Sequence, residues 1–433
     1  MRRKIKSIFW DFPCPSNLNL WWTFGSIRGL CLVIQIFTGL MLSLYYQPDV
    51  WNGHYRVLKV AQEAYAGWVY RGYHIIGARF FFVTVYLHMA RRFYYGGYEK
   101  TKVWLTGLVM LLVLMAIAFL GYVLPWGQIR YWGCTVITRL FSVIPNVGQR
   151  FVEFIWGGPS VNDHTLKRFF VAHILLPFSL VLLVLLHLHF LHQVGSRNPI
   201  GCLYTGKDIP FAPHYFKKDI VACGIIFLLI RRAVFFCPYR NRIPENWMEA
   251  NPMLTPEHIE PEWYFLWLYA ILRSIPTKGA GVATIFGALA ILIFLPLVSL
   301  FQEHKGLMAY PLRKGLFFFW VLNLLYLTYL GAHAVQVPTA ELRVLHMHFY
   351  YIYVPLLPFL NAIRDEFVFL KRKKYRALPK KPAPGIVFLK AIVKFTIEVI
   401  RWRVENIKLL PVTTLSYIKT LKKKIQAFMK KNK

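Results

Sequence analysis

The sequence predicts an all-α polytopic membrane protein with eight transmembrane helices. Of its 433 residues, 57% are hydrophobic and 17% are aromatic, which is typical of a membrane protein rather than a soluble domain. Eight apolar stretches are long enough to cross a hydrocarbon core of ~30 Å. They lie at about 27–46, 75–93, 103–124, 169–191, 220–236, 282–301, 316–330 and 349–370.

Basic residues are distributed unevenly between the two sides of these stretches. The termini and the loops on their side contain 34 Lys and Arg residues, whereas the opposite loops contain 13. Because an excess of Lys and Arg marks the cytoplasmic or matrix side, both termini are predicted to face the negative compartment. The formal net charge of +33 lies in loops and a tail without a nucleic-acid-binding module. Membrane topology and protein partners therefore explain the charge better than nucleic acid does.

Two of the predicted spans carry histidine pairs with the same spacing. His74 and His88 are fourteen residues apart, and so are His173 and His187. Fourteen residues turn a helix to within ~40° of its starting direction and advance it by about 21 Å. Each helix therefore presents two imidazoles along one face, one near each edge of the membrane. Because neutral imidazole ligates iron well, two such facing helices predict two stacked hemes, each held by two histidines.

Glycines repeat this spacing in the other two helices of the first four. Gly25 and Gly39 are fourteen residues apart, as are Gly107 and Gly121. Glycine has no Cβ, so a flat ligand or another backbone can approach it closely. Each spacing alone also fits a polar core histidine or an ordinary helix contact. Because all four spacings agree, they predict that the first four transmembrane helices form a di-heme four-helix bundle.

Two other classes of protein are compatible with parts of this pattern. A polytopic transporter would use its histidines as a proton relay, but it would show no heme absorbance and would need no paired spacings. A membrane reductase fed by NAD(P)H would need a nucleotide-binding domain, and the sequence contains no glycine-rich strand-to-helix motif for one. The six cysteines form no CxxC or CxxCH motif, which argues against iron–sulfur ligation, structural zinc and covalent heme attachment.

Five strings carry a specific resemblance to a known family. They are FGSIRG at 24–29, GYVLPWGQ at 121–128, WGCTVIT at 132–138, FLHQVGSRNP at 190–199 and PEWYFLWLYAILRSIP at 261–276. In this order and at these intervals they resemble the cytochrome b family in its mitochondrial form, the heme-bearing core of quinol–cytochrome c reductase (complex III). The resemblance runs from about residue 9 to residue 370. The spacing of fourteen in both helices and the single long chain separate this form from the chloroplast relative.

The resemblance implies two heme b groups. The low-potential heme would lie near the positive side between His74 and His173, and the high-potential heme near the negative side between His88 and His187.

Two arginines beside the heme ligands look like partners of heme propionates. They are Arg71 and Arg91, and the bidentate guanidinium suits this use. Interfacial snorkelling is the alternative for both.

The resemblance also implies a ubiquinol-oxidation site on the positive side. Its lining would be Met115, Phe119, Tyr122, Gly133, Ile137, Pro261, Glu262, Phe265 and Tyr269. Glu262 and Tyr269 are assigned as catalytic, with Glu262 accepting a proton from the quinol in partnership with an iron–sulfur protein. A loop glutamate is usually solvated, but the aromatic neighbours of Glu262 favour burial, which would raise the pKa of its carboxyl group.

A ubiquinone-reduction site is implied on the negative side. It would use Trp22, Ser26, His192, Ser196, Phe211, Lys218 and Asp219. His192 and Asp219 are assigned as catalytic, because a His/Asp pair beside a lysine can deliver the protons that quinone reduction consumes. His189 points away from His187 and is interpreted as a packing or hydrogen-bonding residue.

The implied activity is that of quinol–cytochrome c oxidoreductase, a proton-translocating enzyme. One quinol electron would pass to a Rieske iron–sulfur protein, and the other would cross the membrane through the hemes to the reduction site. The implied partners are the Rieske protein, cytochrome c1, other complex III subunits, a second copy of the complex in a homodimer, and lipids such as cardiolipin. The implied location is the mitochondrial inner membrane, with both termini on the matrix side.

Three segments are expected along the chain. Residues 1–219 would contain the di-heme bundle with quinone-site residues, and residues 220–370 the other four transmembrane helices with the PEWY loop. Residues 371–433 form a tail with 19 Lys and Arg residues against two Glu residues, which extends past the usual end of the family. An amphipathic helix at about 385–410 is expected there, lying on anionic lipid or a neighbouring subunit and joined to the bundle through a proline-containing linker at 379–384.

The sequence departs from the expected pattern at a few positions. Cys134 follows Gly133 where relatives usually carry another small residue, which affects the expected shape of the oxidation site. Arg79, and the pair Arg231 and Arg232, lie inside predicted spans. Charges at this depth are costly and are usually paired or snorkelled, and for the Arg231–Arg232 pair a polar contact and snorkelling are equally compatible with the sequence.

Overall fold

The computed structural model describes residues 10–201, 206, 208–238, 244–298, 306–307 and 310–373, with side chains up to residue 360. Over this part of the chain the fold is helical apart from one short strand pair, so the predicted all-α class is confirmed. The strands β1 (Pro13–Cys14) and β2 (Ile209–Pro210) pair antiparallel. The amphipathic helix expected at 385–410 and its linker lie outside the described residues.

The helices of the N-terminal part include both long and short elements. They are α1 (Phe24–Ser43), α2 (Gly53–Glu63), α3 (Gly67–Tyr94), α4 (Thr101–Val123), α5 (Gln128–Arg139), α6 (Gly148–Trp156), α7 (Asp163–Val194) and α8 (Phe211–Phe236). Short 3-10 turns lie at Leu20–Thr23, Gly97–Glu99 and Leu140–Val143.

The C-terminal part continues with α9 (Trp263–Arg273), α10 (Lys278–Ala290), α11 (Leu295–Val298), α12 (Pro311–Gly331) and α13 (Thr339–Lys373). Its 3-10 turns lie at Pro244–Trp247 and Ile291–Phe294.

Five helical stretches of the described chain are long and apolar enough to cross a membrane. They are Leu20–Ser43, Thr101–Val123, Asp163–Val194, Lys278–Val298 and Pro311–Gly331. The other three predicted spans lie in α3, α8 and α13, which contain 28, 26 and 35 residues. These helices carry more charge, as α3 does with four arginines. The polytopic helical class therefore holds, and the number of eight spans stays a prediction.

The bundle of α1, α3, α4 and α7 surrounds an apolar layer. α1 packs against α3, α4 packs against α7, and α8 lies against α1 and α3. Apolar side chains three or four positions apart on these helices face inward, and the layer includes Ile27, Cys31, Leu32, Phe81, Phe82, Val85, Leu111, Leu114, Ile117 and Leu180. Phe81 is midway between His74 and His88, and Leu180 is midway between His173 and His187. The apolar layer therefore separates two histidine levels.

A second core joins the C-terminal helices. α9 packs against α10 and α12, and the core includes Trp267, Ile271, Leu327 and Tyr350. The fully buried Arg343 donates hydrogen bonds to three carbonyl oxygens at the end of α12, from Leu330 at 3.0 Å, His333 at 2.6 Å and Ala334 at 3.0 Å. The guanidinium thus donates to carbonyl oxygens at and just beyond the C-terminus of α12, where the hydrogen bonds within the helix end.

The two arginines in α8 lie on its outer surface. Both Arg231 and Arg232 are exposed, and the Arg231 guanidinium lies 5.8 Å from the centre of the Phe235 ring. This position suits both readings of the sequence, a polar partner outside the chain and snorkelling along the helix.

Candidate heme and quinone sites

His74 on α3 and His173 on α7 face each other across the bundle. Their ring centroids are 6.1 Å apart and their planes are nearly perpendicular, at 85°. Both rings line one cavity together with Gly39 and Gly121. The shared spacing of the two helices thus brings one histidine from each to the same level, beside Gly39 near the end of α1.

Hydrogen bonds at Nδ1 fix the orientation of three of the four imidazoles. The Thr38 hydroxyl donates to the carbonyl oxygen of Ile34 at 2.6 Å and lies 3.0 Å from Nδ1 of His74, so it accepts the Nδ1 proton. The Ile117 carbonyl oxygen accepts from Nδ1 of His173 at 2.8 Å. With Nδ1 protonated, Nε2 of both rings keeps its lone pair, which is the arrangement that second-shell partners give to metal-ligating histidines.

His187, at the second level, has the same arrangement. The Thr106 hydroxyl donates to the Lys102 carbonyl oxygen at 2.8 Å and lies 3.0 Å from Nδ1 of His187. His88 differs, because Nη2 of Arg28 lies 3.0 Å from its Nε2. Both histidines line a second cavity, beside Gly25 and Ser26 near the start of α1.

Three of the four spaced glycines lie directly opposite histidine rings. A Cβ on Gly39 would lie 3.0 Å from Cε1 of His74, and one on Gly107 would lie 3.4 Å from Cε1 of His187. A Cβ on Gly121 would overlap the ring of His173. Gly25 has open space instead and lines the second cavity. The glycines therefore keep the bundle open beside the imidazoles, as a flat ligand between them requires.

The predicted propionate partners lie at the two cavities. Arg71 lines the first, with its guanidinium 5.7 Å from the centre of the Trp247 ring, and Arg91 lines the second, 5.0 Å from the centre of the Trp22 ring. The buried Nε of Arg91 has no hydrogen-bond partner within the described chain. Such an orphaned donor suits an anionic ligand, so the residues of this level fit a heme with its propionates.

Two further arginines, which the sequence patterns did not predict, line the second cavity. Arg28 and Arg92 both line it, and Arg92 is buried. Arg28 belongs to the FGSIRG string, and Arg92 follows Arg91 directly. Their position in helices that also carry spaced glycine or histidine residues was the available signal. Together with Arg91 and Lys218 they give the cavity an excess of positive charge, which favours anionic groups.

All seven residues predicted for quinone reduction line this second cavity. They are Trp22, Ser26, His192, Ser196, Phe211, Lys218 and Asp219. Asp219 lies one residue before the predicted fifth span, and burial raises the pKa of its carboxyl group to about 6, although a hydrogen bond from Ser26 opposes the shift. A carboxyl group with this pKa can hold and release a proton near neutral pH.

The residues predicted for quinol oxidation are divided between several places. Tyr122 and Glu262 line the first cavity with His74 and His173. The other seven are not among the described residues lining it: Met115, Phe119, Gly133, Ile137, Pro261, Phe265 and Tyr269. Met115 and Phe265 pack against the apolar core, and the Tyr269 hydroxyl donates to the Ile259 carbonyl oxygen at 3.0 Å. Cys134 is fully buried in α5.

Glu262 is paired with Arg79. Nη2 of Arg79 donates to Oε1 of Glu262 at 3.3 Å and to Oε2 at 3.2 Å, and Nε donates to Oε2 at 3.3 Å. The side chains are only 21% and 18% exposed. The charge of Arg79 within the predicted second span is thus paired, as the sequence suggested for charges at this depth.

Family models and a solved structure match large parts of this chain. The family model described as Cytochrome b/b6/petB matches residues 9–195, and the one described as Cytochrome b(C-terminal)/b6/petD matches residues 249–354. Among solved structures, one titled Hyperthermophilic respiratory Complex III matches with a TM-score of 0.79 and 31% sequence identity. The match covers 84% of this chain and 96% of that chain.

Proposed function

Because the chain belongs to the cytochrome b family, we propose that it is the heme-bearing subunit of a quinol–cytochrome c oxidoreductase. The observation that carries the proposal is the pair of histidine levels. At each level, one histidine from α3 lies at the same cavity as one from α7. Glycines without side chains stand beside three of these rings.

His74 and His173 would hold one heme b, and His88 and His187 the other. Thr38, Thr106 and the Ile117 carbonyl oxygen orient the ligating nitrogens through the hydrogen bonds at Nδ1. Arg71 and Arg91 would pair with the propionates. When bound, the two hemes supply one-electron carriers at two levels of the membrane.

The residues at the two cavities suit opposite proton chemistry. At the first cavity, the Glu262 carboxylate would accept a proton from ubiquinol, while Tyr122 lines the same space. At the second cavity, Asp219 and His192 would deliver protons to ubiquinone, with Lys218 beside them. Oxidation on the positive side and reduction on the negative side would move charge and protons across the membrane, as in the Q cycle.

The proposed partners follow from the same assignment. They are a Rieske iron–sulfur protein, cytochrome c1, further subunits of the complex, a second copy in a homodimer, and lipids such as cardiolipin. The match to a respiratory complex III supports assembly into a multi-subunit complex. The mitochondrial inner membrane, with the termini on the matrix side, stays a prediction, because a structure titled as hyperthermophilic does not support that location. Fractionation of the source cells tests it.

The experiment is a set of reduced-minus-oxidised optical spectra of the purified complex. The spectrum of the native chain should contain two b-type components. His74→Ala and His173→Ala should remove one of them, and His88→Ala and His187→Ala should remove the other, because each change deprives one iron of an axial ligand.

The matched control is His189→Ala. His189 lies two residues from His187 on the same helix, but its Nε2 lies 3.0 Å from Gln193 on the exposed surface, so this variant should keep both components. Retention of both hemes and full turnover in any of the four ligand variants would overturn the assignment. Absence of heme from the native complex would favour the transporter instead.

A further inference from the structure

We propose that Arg79 is a positioning residue of the quinol-oxidation site, which holds the Glu262 carboxylate in the orientation that accepts the proton. The inference rests on the proposed role of Glu262 as that acceptor. Arg79 lies on α3, five residues after His74, and its guanidinium reaches Glu262 across the first cavity, which both residues line.

The backbone of Glu262 does not by itself direct its side chain into the cavity. Glu262 occupies the N-cap position of α9, where a carboxylate commonly accepts a hydrogen bond from the first turn of its own helix. It makes no such bond here. Its two oxygens instead accept from Nε and Nη2 of Arg79. Because a guanidinium is planar and its donors have a fixed geometry, contact with both oxygens fixes the plane of the carboxylate as well as its position.

The pairing leaves Glu262 able to accept a proton. An ionised carboxylate has about four lone-pair sites, and Arg79 donates three hydrogen bonds to them in this structure. An arginine guanidinium remains protonated in proteins and accepts no proton itself. Arg79 therefore orients the acceptor without competing with it for the proton.

Two other side chains on the same face of α3 hold the segment that follows Glu262. Phe82 stacks on the ring of Tyr264, with centroids 4.0 Å apart and planes within 3°. The Tyr86 hydroxyl donates to the Tyr264 carbonyl oxygen at 2.6 Å. Positions 79, 82 and 86 are three and four residues apart, so they lie on one side of the helix. The aromatic contacts fix the backbone of the segment, and among the described residues the contact from Arg79 fixes the carboxylate.

The test is a double-mutant cycle in the intact complex, with steady-state quinol oxidation and heme spectra measured for each variant. Arg79→Gln should lower kcat about tenfold with little change in KM, because the quinol still binds while the acceptor is misplaced. Glu262→Gln should lower kcat by at least as much. The double variant should be no slower than Glu262→Gln alone, since Arg79 has no role once its carboxylate partner is gone.

The conservative change and a matched control complete the design. Arg79→Lys keeps the positive charge but loses the planar set of donors that contacts both carboxylate oxygens. Its kcat should therefore lie between those of the native chain and Arg79→Gln. Arg232→Gln removes an exposed arginine from α8 and should leave kcat unchanged. Both heme components should remain in all variants. If Arg79→Gln loses a heme, the cycle is run with Arg79→Lys.

The outcomes separate the inference from the proposed function. Native kcat in Arg79→Gln, or a double variant slowed by the product of the two single effects, would overturn the positioning role while leaving Glu262 as the acceptor. Native kcat in Glu262→Gln would overturn the proton-acceptor assignment itself, and the positioning role with it.

Discussion

The Thr38 hydroxyl accepts a hydrogen bond from Nδ1 of His74 while it donates to the Ile34 carbonyl oxygen one turn earlier in α1. A hydroxyl has one proton to donate. Because Thr38 donates it to Ile34, the Thr38 oxygen must accept the proton from Nδ1 of His74. A threonine in the neighbouring helix therefore determines which nitrogen of His74 keeps its lone pair, as the proposed iron ligand needs. Thr106 has the same relationship to His187, so this hydrogen-bond arrangement occurs once at each level of the bundle.

Thr38→Val should weaken retention of one heme. Valine has nearly the same shape but cannot accept the Nδ1 proton, and loss of such an outer partner typically lowers metal affinity by about 10- to 100-fold. Heme content after dialysis against apomyoglobin measures the effect. Thr84→Val is the control, since Thr84 is equally buried but donates to its own helix at Phe81. Equal heme retention in both variants would mean that the hydroxyl does not orient His74.

Gly121→Ala should remove the heme held between His74 and His173. The added Cβ would overlap the His173 ring, so the imidazole must turn away from the position in which it faces His74. The reduced-minus-oxidised spectrum should lose one b-type component and keep the other. Gly224→Ala in α8 is the control, because no atom lies within 4 Å of its added Cβ. An unchanged spectrum for Gly121→Ala would show that the ring has room to move without loss of ligation.

Helical periodicity explains what could be predicted of the fold. A spacing of fourteen fixes a direction and a rise along one helix, so His74 and His88 could be placed on one face before any tertiary contact was known. The surface helices α2, α5 and α6 could not be found by span length, because they contain 11, 12 and 9 residues and lie in stretches interpreted as loops. Their stability comes from packing, such as that of Trp156 in α6.

The two candidate quinone sites also differ in how far the sequence could predict them. The seven residues predicted for quinone reduction lie on helices and turns adjoining the second cavity, and all of them line it. The predicted oxidation site joins distant segments, as the Arg79 and Glu262 pair illustrates with a separation of 183 residues. A charge inside a span indicates that a partner is needed, but sequence spacing within one helix carries no information about a partner on another segment.

Arg343→Met should destabilise the C-terminal helices without affecting the hemes. The change removes a fully buried guanidinium that donates to three carbonyl oxygens at the end of α12. Methionine has a similar length, but the three carbonyl oxygens lose their charged donor, and the loss of a hydrogen bond to a charged group costs about 1.5–3 kcal/mol. A lower thermal unfolding temperature of the purified complex, with both heme components intact, is the expected result. Arg232→Met is the control and should leave that temperature unchanged. A native unfolding temperature in Arg343→Met would contradict the capping role.

Asp219 should make quinone reduction at the second cavity depend on pH. Burial raises the pKa of its carboxyl group from 3.8 to about 6. The carboxyl group therefore keeps its proton to a higher pH than it would when exposed to water. The proton is present below about pH 6 and is lost as the pH rises through that value. The rate of heme reoxidation by added quinone, measured from pH 5 to 8, should therefore fall across this range. Asp219→Asn cannot release a proton and should give a slower rate without this inflection, whereas Asp208→Asn, at an exposed position, should keep the native profile. The raised pKa also affects the free energy of unfolding. It favours the folded chain at low pH, and this contribution to stability is lost as the pH rises through about 6. A native rate and inflection in Asp219→Asn would exclude Asp219 as the proton donor and leave His192 as the candidate.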